Sequence, residues 1–136
     1  MPKSKEFTIQ LDDRPGTLAK CCRAFAERRI NILAFEAFSR EGQSIIRLVV
    51  DDPTSAKSAL DAQQIYCTEA EVVQVALPHR SGELFRAASL LGEAGININY
   101  AYCGMEPRTN SPLVIFGVKE VGKAATILDE IAQKAA

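Results

Sequence analysis

The chain has 136 residues with 16 basic and 17 acidic side chains, giving a formal net charge of −1 at pH 7. This balance, without a basic stripe, argues against nucleic-acid binding. An apolar content of 47% predicts a packed globular chain rather than a disordered one. No apolar run is long enough to cross a membrane, and the first residues lack the apolar core of a secretory signal. We therefore expect a cytoplasmic protein.

The first half of the chain predicts four strands and two helices. Pro15-Gly16 marks a turn after the first strand. Asn31 stands where the first helix should stop, and asparagine accepts a left-handed helix terminus. Asp52 is the predicted N-cap of the second helix. The predicted elements are a strand at 7–11, a helix from Thr17, strands at 32–38 and 45–50, a helix at 53–63 and a strand at 66–68.

The second half repeats this order as far as its last helix. Gly95 stands at the usual position of a glycine that closes a helix. After the last helix the chain ends without an obvious fourth strand. The predicted elements are a strand at 72–77, a helix at 82–94, strands at 97–105 and 113–118, and a helix at 121–134.

The two halves are copies of one unit. A shift of 66 residues places eight residues of the first half on identical residues of the second, without a gap. Such self-similarity indicates a repeated structural unit. The first-copy members of these pairs are Leu11, Arg14, Gly16, Leu18, Glu27, Ile30, Asn31 and Ile32.

The fold predicted from this order is α+β. We expect two ferredoxin-like βαββαβ units in tandem, a first domain at 1–70 and a second at 71–136. Each unit should have an antiparallel sheet with its helices on one face, and the second unit should lack its last strand. The cover of the exposed edge is expected to be the continuation of the first unit's fourth strand or a strand from a partner chain.

Oligomerisation is a second expectation from the strand patterns. Strands 45–50 and 113–118 are apolar on both faces, although one face of such a sheet is normally solvated. Units of this size bury little apolar surface alone. We therefore expect the uncovered faces or edges to meet another unit, and the protein to be a homodimer.

The repeated turn and asparagine suggest a binding site. Gly16 and Gly82 lead into helix N-termini, whose free N–H groups suit a carboxylate. Asn31 and Asn97, expected beside these turns, offer a donor and an acceptor, so together they would hold a zwitterionic amino acid. The simpler alternatives stay open: glycines that serve tight turns, and asparagines in left-handed helix ends.

At these residues the sequence resembles the ACT domain family. Asp13-Arg14-Pro15-Gly16 with Ile30-Asn31-Ile32 fits the family motif closely, and His79-Arg80-Ser81-Gly82 with Ile96-Asn97-Ile98 fits it less closely in the turn. The resemblance covers nearly the whole chain and implies a stand-alone tandem protein that regulates amino-acid metabolism. It also implies an effector held where the turn of one unit meets strand two of a neighbour.

The resemblance implies candidate ligand-binding residues at both turns. The turns differ because Pro15 becomes Ser81, and because His79, the chain's one histidine, replaces Asp13. A lone loop histidine is also compatible with no function at all. The candidate residues are Asp13, Arg14, Gly16, Thr17, Asn31, His79, Arg80, Gly82, Glu83 and Asn97.

The expected function is therefore regulatory binding of a free amino acid, with a homodimer and an amino-acid metabolic enzyme as partners. The alternative is a structural dimerisation module without a ligand. No nucleophile and base pair, P-loop or dinucleotide fingerprint supports an enzyme. No metal or other cofactor is expected, because Cys21, Cys22, Cys67 and Cys103 lack ligand spacing and are expected to be small buried thiols in a reducing compartment.

Overall fold

The computed structural model describes residues 3–135, and their side chains as far as Ile131. This part of the chain forms six strands and four helices. In none of these helices is an apolar stretch long enough to cross a lipid bilayer. The elements are β1 (Lys3–Asp12), α1 (Thr17–Ala26), β2 (Ile32–Arg40), β3 (Gln43–Val50), α2 (Pro53–Ala62), β4 (Cys67–Ala76), α3 (Glu83–Glu93), β5 (Ile98–Glu106), β6 (Ser111–Val118) and α4 (Val121–Ala135).

Strand β4 replaces two strands that the sequence predicts separately. The expected strands at 66–68 and 72–77 form one continuous strand, Cys67–Ala76. The residues between them are Glu69-Ala70-Glu71, which include neither glycine nor proline. Without a residue that favours a turn, the extended backbone continues through the expected boundary.

The prediction of two ferredoxin-like units, each with its own sheet, is wrong. The six strands form one closed hydrogen-bonded sheet in the order β1-β3-β2-β5-β6-β4. The physical reason lies in β1 and β4, which are each ten residues long. Neither strand ends at a boundary between the two halves, so the halves do not form separate sheets.

The contacts within the chain nevertheless divide it into two compact units. One unit is Lys5–Ala70, and the other groups Lys3 and Ser4 with the chain from Glu71 onward. Both boundaries therefore fall inside a strand, one in β1 and one in β4. The predicted division at residue 70 was drawn between strands, and it stays a prediction as a domain boundary.

The edge of β4 is covered by the beginning of β1. Within the unit that starts at Glu71, the Ser4 hydroxyl donates a hydrogen bond to the Gln74 side-chain oxygen, and Lys3 Nζ lies 4.0 Å from Glu71 Oε1. Strands β1 and β4 are neighbours in the closed sheet. The missing fourth strand is thus supplied from the start of the same chain, which is neither of the two covers expected from the sequence.

Each unit has its own apolar core between helices and sheet. In Lys5–Ala70 the core includes Phe7, Phe25 and Leu48, and in the other unit it includes Leu91 and Phe116. The opposite face of the strands is buried too: Ile45, Val49 and Ile115 are each at most 5% exposed. Both faces of β3 and β6 are therefore buried within one chain, and their apolar pattern gives no argument for a partner.

The C-termini of α1 and α3 do not place the asparagines where the sequence predicts them. Arg29, with φ 56°, holds the left-handed position after α1, as Gly95 with φ 75° does after α3. The Ile30 N–H donates to the Phe25 carbonyl at 3.0 Å, and the Ile96 N–H donates to Leu91 at 2.9 Å. These are equivalent bonds that close both helices. Asn31 and Asn97 lie two residues further on, so the interpretation of them as left-handed helix ends is wrong.

The strained position at Arg29 leads to a stability prediction. Arg29→Gly should raise the free energy of unfolding by about 1 kcal/mol. The reason is that the strain of a left-handed backbone at a residue with a Cβ outweighs the extra conformational entropy that glycine has in the unfolded chain. Urea unfolding followed by circular dichroism measures the change. Arg23→Gly, inside α1 with right-handed backbone, is the matched control and should lose about 1 kcal/mol. Equal losses for both variants would contradict this account.

Candidate ligand-binding site

The first turn, between β1 and α1, is shaped by a left-handed glycine. Gly16 has φ 90° and is the N-cap of α1, without a side-chain hydrogen bond to cap the helix. A Cβ built on Gly16 would meet no atom within 4 Å, so glycine is required here for its backbone conformation and not for space. The Thr17 hydroxyl donates to the Asp12 carbonyl at 2.8 Å and ties the turn to the end of the strand. The N-terminal amides of α1 are therefore left without a capping side chain.

A polar cleft of about 250 Å³ opens beside this turn, and we call it the first cleft. Arg14 and Lys20 give it two positive charges, and Asp12 gives it one negative charge. The Gln43 amide donates to Asp12 Oδ1 at 3.3 Å, which orients the carboxylate. The lining residues are Gln10, Leu11, Asp12, Arg14, Thr17, Lys20 and Gln43.

Asn31 does not lie beside the first turn of its own unit. Asp12 pairs with Gln43 at the start of β3, whereas the Asn31 N–H donates to the Asp51 carboxylate at 3.1 Å, just after the end of β3. At roughly 3.3 Å per residue, the length of β3 separates the two places by about 26 Å. The expected pairing of Gly16 with Asn31 is therefore not formed within one unit.

Asp13 is also outside the first cleft. Its backbone N–H donates to the Gly42 carbonyl at 3.2 Å, and its side chain is exposed and not part of the lining. Of the five first-copy candidates, Arg14 and Thr17 line the cleft and Gly16 shapes it. Lys20 and Gln43 are cleft residues that the sequence analysis missed. Lys20 lies one helical turn after Gly16, a spacing that would have identified it.

The second turn, between β4 and α3, has the same backbone and different chemistry. Gly82 has φ 90° and caps α3 without a side-chain hydrogen bond. Glu83 is the first residue of the helix and is only 8% exposed. Arg80 Nε donates to its Oε1 at 2.8 Å, and Arg86 Nη1 lies 3.5 Å from its Oε2. Among the described residues, none donates a hydrogen bond to Glu83 Oε2.

A larger and mainly apolar cleft of about 400 Å³ opens beside the second turn, and we call it the second cleft. It brings together three of the predicted residues, His79, Arg80 and Glu83, with residues 101–103 of β5, which are not among the candidate residues. The lining residues are Leu77, Pro78, His79, Arg80, Glu83, Leu84, Ala101, Tyr102, Cys103, Pro112 and Val114.

Asn97 lies away from the second cleft. Its side-chain amide donates to Asn99 Oδ1 at 2.9 Å, just before β5 begins. Ile98 pairs with Val118 at the end of β6, whereas the Leu77 N–H donates to Pro112 near its start. The length of β6 separates the asparagine from the turn, as β3 does in the first unit.

The cysteines differ from the expectation of four buried thiols. Cys21 is buried, and burial raises its pKa to about 12, with a smaller contribution from Cys22. Burial also raises the pKa of Cys22 and of Cys67, which are half-buried. These thiols stay protonated and unreactive near neutral pH. Cys103 is exposed on β5, so its assignment to the core is wrong.

Comparison with solved structures places the chain among known folds. A crystal structure of a protein from Bacteroides thetaiotaomicron is similar to it, with 25% identity, a TM-score of 0.83, and coverage of 96% of this chain and 89% of that one. The regulatory subunit of aspartate kinase from Thermus thermophilus, in ligand-free form, is similar with 18% identity and a TM-score of 0.64 over 95% of this chain and 91% of that chain. The corresponding subunit from Thermus flavus gives 17% and 0.60 over 96% and 92%. At these identities, the two kinase subunits show a shared fold.

Comparison of sequences identifies the family. No curated protein matches the chain. The family model of the ACT domain matches residues 6–67, from within β1 to the first residue of β4. This range contains the left-handed turn at Gly16 and the strand that follows Asn31. Residues 6–67 therefore match the ACT domain family, which confirms over that range the resemblance inferred from the sequence.

Proposed function

We propose that this chain is a regulatory protein that binds a free amino acid in the first cleft. The ACT domain supports a regulatory ligand-binding role in general, and it favours a regulatory protein over a catalytic one. The observation that carries the finer proposal is the charge arrangement of the first cleft at an uncapped helix N-terminus.

The carboxylate of the amino acid has suitable partners at the start of α1. Backbone N–H groups of a first helical turn lack intrahelical acceptors, and the positive end of the helix dipole attracts an anion. Arg14 and Lys20 line the same cleft and add two positive charges. A side chain that would compete for the amides is absent at Gly16. A ligand carboxylate placed there would be bonded by amides and balanced by both cations.

The ammonium group of the amino acid has a partner in Asp12. This carboxylate lines the cleft, and its Oδ1 already accepts a bond from Gln43 at 3.3 Å, which leaves its other acceptor positions for a ligand. A site with separate positive and negative groups matches a zwitterion better than it matches a simple anion. A cleft of about 250 Å³ suits a small molecule of this kind.

The regulated partner is proposed to be an enzyme of amino-acid metabolism in the cytoplasm. The similar structures named as regulatory subunits of aspartate kinase support this class of partner. The remaining candidate residues, Asp13, Asn31 and Asn97, stay predicted ligand contacts, although none of them lines the first or the second cleft.

Amino-acid binding can be tested with a thermal-shift panel of the common amino acids. The preferred amino acid at one hundred times its dissociation constant should stabilise the protein by about 2.7 kcal/mol, or raise Tm by roughly 5–10 °C. Arg14→Met should weaken that ligand about tenfold, since it removes one charged hydrogen-bond donor.

Arg28→Met is the matched control for this panel, because Arg28 is exposed and is not part of the first cleft. This variant should bind as the unchanged protein does. Absence of a shift with every amino acid at millimolar concentration would overturn the proposed function.

The alternative function, a dimerisation module without a ligand, is favoured by one observation. The unit from Glu71 onward exposes large apolar side chains: Leu84 is 56% exposed, Phe85 77% and Met105 56%. Adjacent exposed apolar side chains such as Leu84 and Phe85 are typical of an interaction surface. They also support the proposed homodimer. The sheet faces are buried and the strand edge is covered, so these two features no longer support it.

Sedimentation equilibrium tests the alternative directly. A dimerisation module should be a dimer at micromolar concentration without ligand, and Leu84→Ser with Phe85→Ser should convert it to a monomer. Tyr66→Ser, at a side chain that is 80% exposed in Lys5–Ala70, is the control and should leave the dimer intact. A ligand-free monomer would rule out the alternative, and a monomer with and without amino acid would also rule out the homodimer.

A further inference from the structure

The two clefts differ at the first residue of the helix that borders each of them. In the first cleft this residue is Thr17, whose hydroxyl donates a hydrogen bond to the Asp12 carbonyl. In the second cleft it is Glu83, whose buried carboxylate stands at the positive end of α3. A negative side chain in the first turn of a helix satisfies the electrostatic preference that would otherwise attract a ligand anion. The second helix terminus therefore already has its own anion.

The arginine of the second cleft is also engaged. Arg80 lines the cleft, and its Nε donates to Glu83 Oε1 at 2.8 Å. Arg86, 3.5 Å from Oε2, does not line the cleft. A ligand carboxylate would have to compete with Glu83 for Arg80 and would lie beside a second negative charge, which is unfavourable. The second cleft is thus less suited to a ligand carboxylate than the first cleft.

The second cleft instead offers an acceptor and an apolar wall. Glu83 Oε2 is buried, and none of the described residues donates a hydrogen bond to it. A buried oxygen without a donor is costly, and a donor that reaches it is correspondingly favourable. Glu83 itself lines the second cleft, so a ligand bound there lies beside its carboxylate. The same cleft is lined by Leu77, Leu84, Tyr102 and Val114, which suit an apolar body.

We propose that the second cleft binds an apolar amine that carries no carboxylate, with its N–H group donating to the Glu83 carboxylate and its apolar body against Leu84, Tyr102 and Val114. This inference rests on the proposed ligand-binding role of the chain and assigns to its second cleft a different ligand class. A cavity of about 400 Å³ is within the range of small-molecule sites. The chain would then respond to two chemically distinct molecules, a zwitterion in one unit and an apolar amine in the other.

The test uses 2-phenylethylamine and phenylalanine, which share an apolar body and an amino group and differ in the carboxylate. Amide chemical shifts of the full chain, followed by NMR, report each cleft separately. Residues 10–20 and 43 report the first cleft, and residues 77–84 and 101–103 report the second cleft. The amine should shift residues 77–84 and 101–103 and bind in the second cleft at least about tenfold more tightly than phenylalanine.

Variants at Glu83 give opposite expectations for the two probes. Glu83→Gln should weaken the amine about tenfold, since it removes the charge and keeps the shape. Glu83→Thr, which introduces the first-copy residue, should weaken the amine and strengthen phenylalanine by releasing Arg80 and the helix terminus. Glu93→Gln, at an exposed residue of the same helix, should change neither affinity.

The outcomes separate this inference from the proposed function. Equal or tighter binding of phenylalanine in the second cleft would overturn the inference and leave amino-acid binding in the first cleft untouched. If the amine shifts none of residues 77–84 and 101–103, while the thermal-shift panel finds an amino acid for the first cleft, the inference alone is overturned. An amine affinity that is unchanged in Glu83→Gln and Glu83→Thr would show that Glu83 is not its partner and would overturn it as well.

Discussion

The architecture depends on two long strands that pass through the unit boundaries without a turn. Lys5 pairs with Glu69 at 3.4 Å in one unit, and Lys3 pairs with Glu71 at 4.0 Å in the other, so the two units take consecutive parts of the same two strands. Exposed ion pairs of this kind contribute little energy by themselves. Their value is as markers of register, because each pair joins facing positions of β1 and β4. An unpaired edge at β4 is thereby avoided without a partner chain.

The same repeat yields two turns of one shape and two clefts of different chemistry. Gly16 and Gly82 have the same left-handed backbone, so the direction of the helix from the strand is preserved in both copies. The side chain directly after each glycine then decides the character of the cleft. Thr17 leaves the helix terminus uncharged beside Arg14 and Lys20, whereas Glu83 places a negative charge there and engages Arg80. A duplicated fold can in this way keep its geometry while one residue changes which ligand charge it tolerates.

Local features of the structure could be predicted from the sequence, and long-range ones could not. The glycine turns and the four helices follow from residue periodicity and from the conformational freedom of glycine, which act over a few residues. The continuity of β4 depends on the absence of turn residues at 69–71, and a search for boundaries between repeats overlooks this. The position of Asn31 depends on the direction of β2 relative to β1, which is set by pairing with β3. The role of Glu83 depends on burial, which no sequence period reveals for a charged residue.

The most direct test of this architecture is native-state hydrogen exchange on a chain that begins at Lys5. The account predicts that amides at residues 71–74 lose protection, because Lys3 and Ser4 belong to the unit that begins at Glu71. Protection in α1 and across the pairing of β2 with β3 should be nearly unchanged, since those elements have their contacts within Lys5–Ala70. Loss of protection confined to Lys5–Ala70, with residues 71–74 unaffected, would contradict the claim that the start of the chain completes the other unit.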